Sequence, residues 1–216
     1  MERVLYTYFR SSASYRVRIA MNLKGLDARH VSIHLNREGG AQFSESFRRL
    51  NPAASVPVLV DGDVTLSQSL AIMEYLDERY PNAPLLPESI EDRAHARQLA
   101  ALIACDIHPL NNLRVLKRLT ATLGVSEPAK SDWISHWIKL GFFAIEEMLV
   151  ASPSRGKFCV GDRPTIADCC LVPQVFSAQR FNVELSPYPA LMKVFEACES
   201  LPAFQDAHPS RQPDAE

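Results

Sequence analysis

The chain has 216 residues, between one generous domain and two small ones when domains run about 100 to 200 residues. Hydrophobic residues at 47% and charged residues at 22% exclude a disordered or collagen-like chain. With 23 Lys and Arg against 25 Asp and Glu, the net charge of −2 offers no bulk attraction to phosphate backbones or anionic lipid. Neither nucleic acid nor a membrane is an expected partner.

Met1-Glu2-Arg3-Val4 leads straight into a strand-like run, without a basic head and apolar signal stretch. No apolar segment is long enough to span a bilayer. Cys105, Cys159, Cys169, Cys170 and Cys198 are odd in number, irregularly spaced and free of any Cys-x-x-Cys pair. That pattern reads as reduced, mostly buried thiols in a cytoplasmic protein. The six histidines form no metal-ligand spacing, so no metal is expected.

Val4 to Phe9 is rich in β-branched and aromatic residues and predicts a strand. Ser11-Ser12-Ala13-Ser14 supplies N-cap chemistry for a helix over Arg16 to Lys24, closed by Gly25. Ala28 to Leu35 places Val31, Ile33 and Leu35 at period two, a second strand. Phe43 to Leu50 predicts a short helix. Val56 to Val60 and Val64 to Leu66 then flank Asp61-Gly62, a hairpin signal. A helix over Leu70 to Arg79 ends before Pro81. Strands and helices in this order predict a small mixed sheet with helices packed on it.

Tyr80 to Glu88 carries Pro81, Pro84 and Pro87 and marks the domain boundary. Beyond it the strand signal disappears. Helical periodicity runs from Ile90 to about Ala121, bent at Pro109. Lys130 to Val150 is a second amphipathic helix presenting Trp133, Trp137, Leu140 and Phe143. Thr165-Ile166-Ala167-Asp168 resembles a capping box opening a buried helix to Phe176, interrupted by Pro173. Tyr188 to Ser200 predicts the last substantial helix, and Gln205 to Glu216 an extended surface segment. The fold class is thus a small α/β domain followed by an all-helical one.

Two polar helix starts are candidate sites. Arg10 to Arg16 joins the first strand to the first helix, where free N–H groups and the positive dipole end suit an anion. Gln68-Ser69 opens the helix at Leu70 in the same way. In both, the alternative is that the hydroxyls only cap a helix. No cysteine precedes Cys105, so any thiol chemistry in this domain needs sulfur from a ligand.

Phe9-Arg10-Ser11-Ser12-x-Ser14-x-Arg16-Val17-Arg18-Ile19-Ala20 resembles the signature of the zeta-class glutathione transferases, the maleylacetoacetate isomerases. Matching segments follow in order along essentially the whole chain. They are Asn51-Pro52 with Val56-Pro57, Gln68-Ser69-Leu70-Ala71-Ile72, Ile107-His108-Pro109-Leu110-Asn111-Asn112-Leu113, Gly161-Asp162 with Thr165 to Asp168, Leu171-Val172-Pro173-Gln174-Val175, Arg180-Phe181, and Gln212-Pro213-Asp214. The resemblance implies a thioredoxin-like glutathione-binding domain over residues 1–82, an all-helical substrate-binding domain over 88–216, and a homodimer.

It also implies the site. Val56, before a cis Pro57, would pair its backbone with the cysteinyl part of glutathione. Gln68 and Ser69 would hold the γ-glutamyl end, with Gln42 nearby. Ser11 would face the sulfur with Ser12 close behind. Arg10 and Arg180 would hold a small dicarboxylate substrate, and His108 and Asn112 would contact glutathione or substrate. Arg114 lies near them. Where the family usually has Cys or Thr, this chain has Ala13, so the thiolate contact falls on Ser11.

The implied reaction is glutathione-dependent isomerisation of maleylacetoacetate by thiolate addition, bond rotation and elimination. Three alternatives share the resemblance: maleylpyruvate isomerisation, dehalogenation of α-halo acids, and a non-catalytic binding module. Leu113, in place of a further arginine, favours maleylacetoacetate over maleylpyruvate. Asp168 is expected to be structural, and Cys169-Cys170 to be core.

Overall fold

The computed structural model describes residues 2–216. Met1, the first residue of the segment leading into the predicted strand, lies outside them. Four strands, β1 (Arg3–Thr7), β2 (Arg29–Ser32), β3 (Val58–Asp61) and β4 (Val64–Ser67), form one sheet in the order β2-β1-β3-β4. The β1–β2 pair is parallel, with helix α1 (Ser12–Leu23) between them in the chain; the other two pairs are antiparallel. Successive residues of a strand face opposite sides, and both sides are covered here. Leu5 and Leu59 pack with Val17 and Met21 of α1 and with Ile72 and Leu76 of α3 (Ser69–Arg79). Val58 and Tyr6 pack on the other face with Tyr8, Phe9, Ile33 and Phe47, the last from α2 (Glu45–Leu50). This is the expected thioredoxin-like arrangement.

β1 and β2 both stop short of their predicted ends, for identifiable reasons. β1 stops at Thr7 because the Phe9 amide donates to the Asp214 carboxylate and not to a neighbouring strand. β2 stops at Ser32, and soon afterwards the amides of Asn36 and Arg37 both donate to His34 Nδ1, turning the chain.

The second compact unit runs from Leu86 to Glu199. It contains α4 (Ile90–Ala101), α5 (Leu113–Ala121), α6 (Glu127–Ala151), α7 (Ile166–Arg180) and α8 (Pro189–Glu199). The single bent helix expected up to Ala121 is in fact α4, a π-helical stretch Leu102–Ile107, a 3₁₀ turn His108–Asn111 and α5. Pro109 has no N–H to donate and crowds the carbonyl four residues back, which breaks the α-helical ladder there. By contrast α7 continues through Pro173 to Arg180, beyond the expected end.

The core face of α6 also differs from expectation. Ile134, Ile138, Phe142, Ile145 and Leu149 are buried, whereas Leu140 and Phe143 are 54% and 61% exposed. Steps of four, four, three and four keep those five residues on one stripe, and Leu140 and Phe143 fall off it. Gly141 belongs to the buried side: a Cβ there would lie 2.2 Å from Ile107 Cδ1.

The C-terminal segment corrects another expectation. Instead of the extended surface segment expected over Gln205 to Glu216, it forms α9 (Pro202–Ala207) and a 3₁₀ turn Pro209–Arg211. Pro202 sits at the first helical position, where its missing N–H costs nothing, and Phe204 and Ala207 are buried against α1. Ser200–Glu216 accordingly groups with the unit that runs to Leu85, although the sequence reading assigned everything from 88 to 216 to the helical domain. Among the described residues no helix is long and apolar enough to cross a membrane, and no cluster of His, Cys, Asp or Glu is arranged to hold a metal ion.

Candidate active site

Strand direction and register bring the candidates of the first unit to one end of the sheet. Tyr6 pairs with Val58 and Val58 with Ser67, while Thr7 pairs with Ser32. The chain leaving β1 toward Arg10–Ser12, the chain entering β3 from Val56, the chain leaving β4 toward Gln68–Ser69, and the chain leaving β2 toward Gln42 therefore all lie at this edge. In sheets of this kind, ligands bind outside the carboxyl ends of the parallel strands.

Ser11 is the N-cap of α1, and its Oγ accepts the Ser14 amide at 3.2 Å. A hydroxyl carries one donor and two acceptor lone pairs, so capping leaves its hydrogen free to donate. The amides of Ser12 and Ala13, like those of any first helical turn, have no intrahelical acceptor. Arg10 is exposed, donates from Nη2 to the Tyr8 hydroxyl at 3.3 Å and lies over the Phe9 ring, with no carboxylate partner among the described residues.

The second polar helix start is not a plain cap. Gln68 occupies the N-cap position of α3 at φ 74° with no side-chain cap bond. A non-glycine residue held at positive φ costs of order 1–3 kcal/mol and clusters at ligand sites. Its exposed side chain is free of any local duty. Ser69 is buried, and its Oγ accepts Arg16 Nη1 at 3.2 Å. The Val56–Pro57 bond is cis, as the resemblance implies, and Val56 lies outside the ladder because β3 begins at Val58.

Gln42 is 5% exposed; its Nε2 donates to the Leu35 carbonyl, while its Oε1 is buried without a protein partner. A buried acceptor left bare costs about 1–3 kcal/mol. Gly40, at φ 105°, lies so close that a Cβ there would meet Gln42 Nε2 at 2.5 Å. An open cavity of about 700 Å³ lies alongside, lined by His34, Arg37, Gly40 and Phe43 among others. Ser11, Val56, Gln68 and Ser69 do not line it.

The candidates of the second unit sit on separate elements. His108 begins the 3₁₀ turn, and Asn112 caps α5 by accepting the Arg114 amide at 3.1 Å. Arg114 is exposed. Arg180 is exposed in the last turn of α7, its guanidinium carbon 5.1 Å from the centroid of the Phe181 ring.

Asp168 is fully buried, and its hydrogen bonds are all structural. Oδ2 accepts the Thr165 amide at 2.7 Å and the Thr165 hydroxyl at 2.9 Å, and Oδ1 accepts the Cys159 amide at 2.9 Å. Burial nevertheless holds its pKa above the usual carboxylate range, against the downward pull of those donors. Burial, with the Asp168 charge second, pushes the Cys159 and Cys198 thiols up, so neither is a nucleophile. Cys169 and Cys170 are buried; Cys105 alone of the five is exposed.

The residue reading singled out neither Arg18 nor Asp214, which hold the Ser11 loop from behind. Arg18 is 2% exposed and contacts Thr7, Tyr8 and Phe9, and desolvation lowers its pKa to about 10. Both stand in segments that carry the resemblance, Arg18 in the first and Asp214 in the last, but nothing local joins them.

Comparison with known proteins gives a consistent picture. Residues 5–84 match the glutathione S-transferase N-terminal domain and residues 142–202 the glutathione S-transferase C-terminal domain. A probable maleylacetoacetate isomerase of Vibrio cholerae serotype O1 is 51% identical over 215 residues, 100% of this chain and 99% of the relative. A holo structure of maleyl pyruvate isomerase, described as a bacterial glutathione S-transferase in the zeta class, superposes with TM-score 0.95 at 46% identity, covering 99% of this chain and 100% of the other. A maleylacetoacetate isomerase from Methylobacterium extorquens AM1, solved with bound malonate and glutathione, superposes with TM-score 0.94 at 37% identity, covering 99% of both chains.

Proposed function

The chain belongs to the zeta class of the glutathione S-transferase family, and from that premise we propose that it catalyses the glutathione-dependent cis–trans isomerisation of maleylacetoacetate to fumarylacetoacetate in tyrosine and homogentisate breakdown. The observation that carries this reading is Ser11, a capping serine with a spare donor at the start of α1, on the same sheet end as Val56 and Gln68–Ser69.

These residues fit a γ-glutamyl tripeptide thiol. Val56 has backbone groups outside the ladder, Gln68 has an uncommitted side chain beside the α3 start, and Gln42 has a buried acceptor to satisfy. We assign the cysteinyl backbone to Val56, the γ-glutamyl end to Gln68 and Ser69, and further contacts to Gln42, His108 and Asn112. When bound, glutathione supplies a thiolate that adds reversibly to the cis double bond and is regenerated after rotation.

Ser11 stabilises that sulfur as an anion. Lowering a thiol pKa by roughly two units needs about 2.7 kcal/mol. A hydrogen bond to a charged acceptor contributes about 1.5–3 kcal/mol, and a helix N-terminus about 0.3–1 kcal/mol. The sum suffices with Ala13 in place of a cysteine. Ser12 supplies its backbone amide at the same helix start. Arg10 and Arg180 hold the substrate carboxylates, since a guanidinium fork matches a carboxylate in two parallel bonds. Either also stabilises negative charge developing at the substrate carbonyl.

In this reading residues 1–82 bind glutathione, the helical unit from residue 88 to Glu199 supplies the substrate side, and the enzyme is a homodimer in the cytoplasm. The five free cysteines accord with a reducing compartment.

The test is an absorbance assay with maleylacetoacetate and maleylpyruvate, each with and without glutathione. Turnover of maleylacetoacetate only with glutathione bears the proposal out. Preference for maleylpyruvate transfers it to that substrate, which the 0.95 superposition makes the leading alternative. Turnover of neither, with glutathione still bound, leaves an α-halo-acid enzyme or a binding module.

A further inference from the structure

The C-terminal tail grips the strand exit that leads into Ser11. Asp214 Oδ2 accepts the Phe9 amide at 3.1 Å and the Ser32 hydroxyl at 2.8 Å. Arg18 donates from Nε to the Ala207 carbonyl at 3.1 Å, and the same guanidinium reaches the Phe9 carbonyl at 2.9 Å, the Tyr8 carbonyl at 3.4 Å and Thr7 Oγ1 at 3.1 Å. The Tyr8 carbonyl also accepts the Ser11 amide at 3.0 Å. Further out, Glu216 Oε1 lies 2.9 Å from His34 Nε2 and 2.8 Å from Arg37 Nη2.

Phe9 therefore has its N–H and its C=O fixed by groups outside the sheet, Asp214 on one side and Arg18 on the other. It is the residue before Arg10 and two before Ser11. Beyond it the course of the loop before α1 is set by the Ser11–Tyr8 and Ser14–Ser11 bonds, with Arg10 Nη2 donating to the Tyr8 hydroxyl and the Tyr15 amide to the Ser11 carbonyl. A donor displaced by about 1 Å from a reacting atom loses much of its effect.

We infer that Asp214 is a positioning residue for the Arg10–Ser11 loop: the tail sets the place from which Ser11 donates to the sulfur. Asp214 bonds the Phe9 amide and the Ser32 hydroxyl. It acts through the Phe9 amide, with Arg18 and Ala207 as the opposing anchor. Its catalytic consequence rests on the function proposed above, whereas its grip on the loop does not.

The experiment has two readouts on the full chain. The first uses protein without glutathione and follows hydrogen exchange of the Phe9 and Ser11 amides. Asp214→Ala should speed both by about tenfold or more while amides of α9 keep their protection, because only the local opening changes. The second follows the ultraviolet absorbance of the glutathione thiolate on binding. Asp214→Ala should raise the apparent pKa of the bound thiol by about one unit, a tenfold weaker preference for the thiolate, with affinity for S-methylglutathione within about twofold of wild type. Asp214→Asn, which keeps an acceptor oxygen, should restore most of both.

Faster exchange with an unchanged thiol pKa overturns the inference, as does unchanged exchange. If wild type forms no thiolate, the proposed function fails instead, and the exchange result alone decides whether Asp214 fixes the loop. Should Asp214→Ala not fold, Ser32→Ala removes one of the two bonds to Oδ2 from an exposed position and should shift both readouts the same way, by less.

Discussion

Ser11 accepts the Ser14 amide at 3.2 Å, while its own hydroxyl hydrogen has no partner among the described residues. Capping and catalysis are therefore not competing duties, because they use opposite ends of one hydroxyl. Substitutions can separate them. Ser11→Asp keeps a good N-cap, so stability should stay within about 0.5 kcal/mol, yet it puts a negative charge where the thiolate must form. Thiolate absorbance of bound glutathione should disappear at neutral pH. Ser11→Ala loses the cap, about 1 kcal/mol, and one donor to a charged acceptor, about 1.5–3 kcal/mol. Turnover should fall by one to two orders of magnitude. Normal thiolate formation in Ser11→Asp would remove Ser11 from the site.

Asp168 makes the opposite prediction. Its carboxylate satisfies the Thr165 amide, the Thr165 hydroxyl and the Cys159 amide, all buried. Asp168→Ala strands three donors at about 1–3 kcal/mol each, so a loss of about 3 kcal/mol or more is expected. For a chain of this size that lowers Tm by roughly 6–12 °C. Thermal unfolding and glutathione affinity, measured below the new Tm, check it. A wild-type Tm with lost turnover would make Asp168 a catalytic group.

Those two residues also mark how far the chain could be read unaided. Both caps were legible because each is local: a serine three residues before its amide, a threonine three before its aspartate. The α6 face is hidden in the sequence because its bulkiest residues do not follow its buried period. Trp133 and Trp137 drew the stripe one way, and the isoleucines at 134, 138 and 145 define it the other. The Phe9–Asp214 bond joins residues 205 apart, and no pattern in either segment specifies the pairing. The positive φ of Gln68 was equally hidden, since glutamine gives no sign of left-handed backbone. Local chemistry pointed to the two polar helix starts, the resemblance supplied the other candidates, and tertiary contacts decide how they are held.

His208 should give the tail a pH dependence. Its Nδ1 accepts the Ser210 amide at 3.2 Å and lies 2.8 Å from the Ser210 hydroxyl. Burial lowers its pKa below 6.5, with the Arg18 and Arg211 charges adding to the effect. Between that depressed value and 6.5 the unfolded chain binds a proton that the folded chain refuses. Stability should therefore fall as pH drops below about 6.5 and be fully present above it. His208→Asn, whose side-chain oxygen can still accept the amide, should flatten that part of the curve. Urea unfolding midpoints from pH 7.5 to 5 provide the test, and an identical slope in wild type and variant would rule His208 out.

Arg180 ends α7 with its guanidinium beside the Phe181 ring, and its proposed work is to hold a substrate carboxylate. Lysine preserves the charge but not the planar fork or the ring stacking. Arg180→Lys should therefore raise KM for maleylacetoacetate by roughly tenfold, the worth of about 1.4 kcal/mol of substrate binding. Glutathione affinity and Tm should stay near wild type. Arg180→Leu removes the charge as well and should cost about another order of magnitude in kcat/KM, if charge stabilisation at the carbonyl contributes about 1.4 kcal/mol. Steady-state kinetics at saturating glutathione separates the two effects. Should KM stay unchanged in both variants, Arg180 serves only the end of its helix, and the carboxylate contact falls to Arg10 alone.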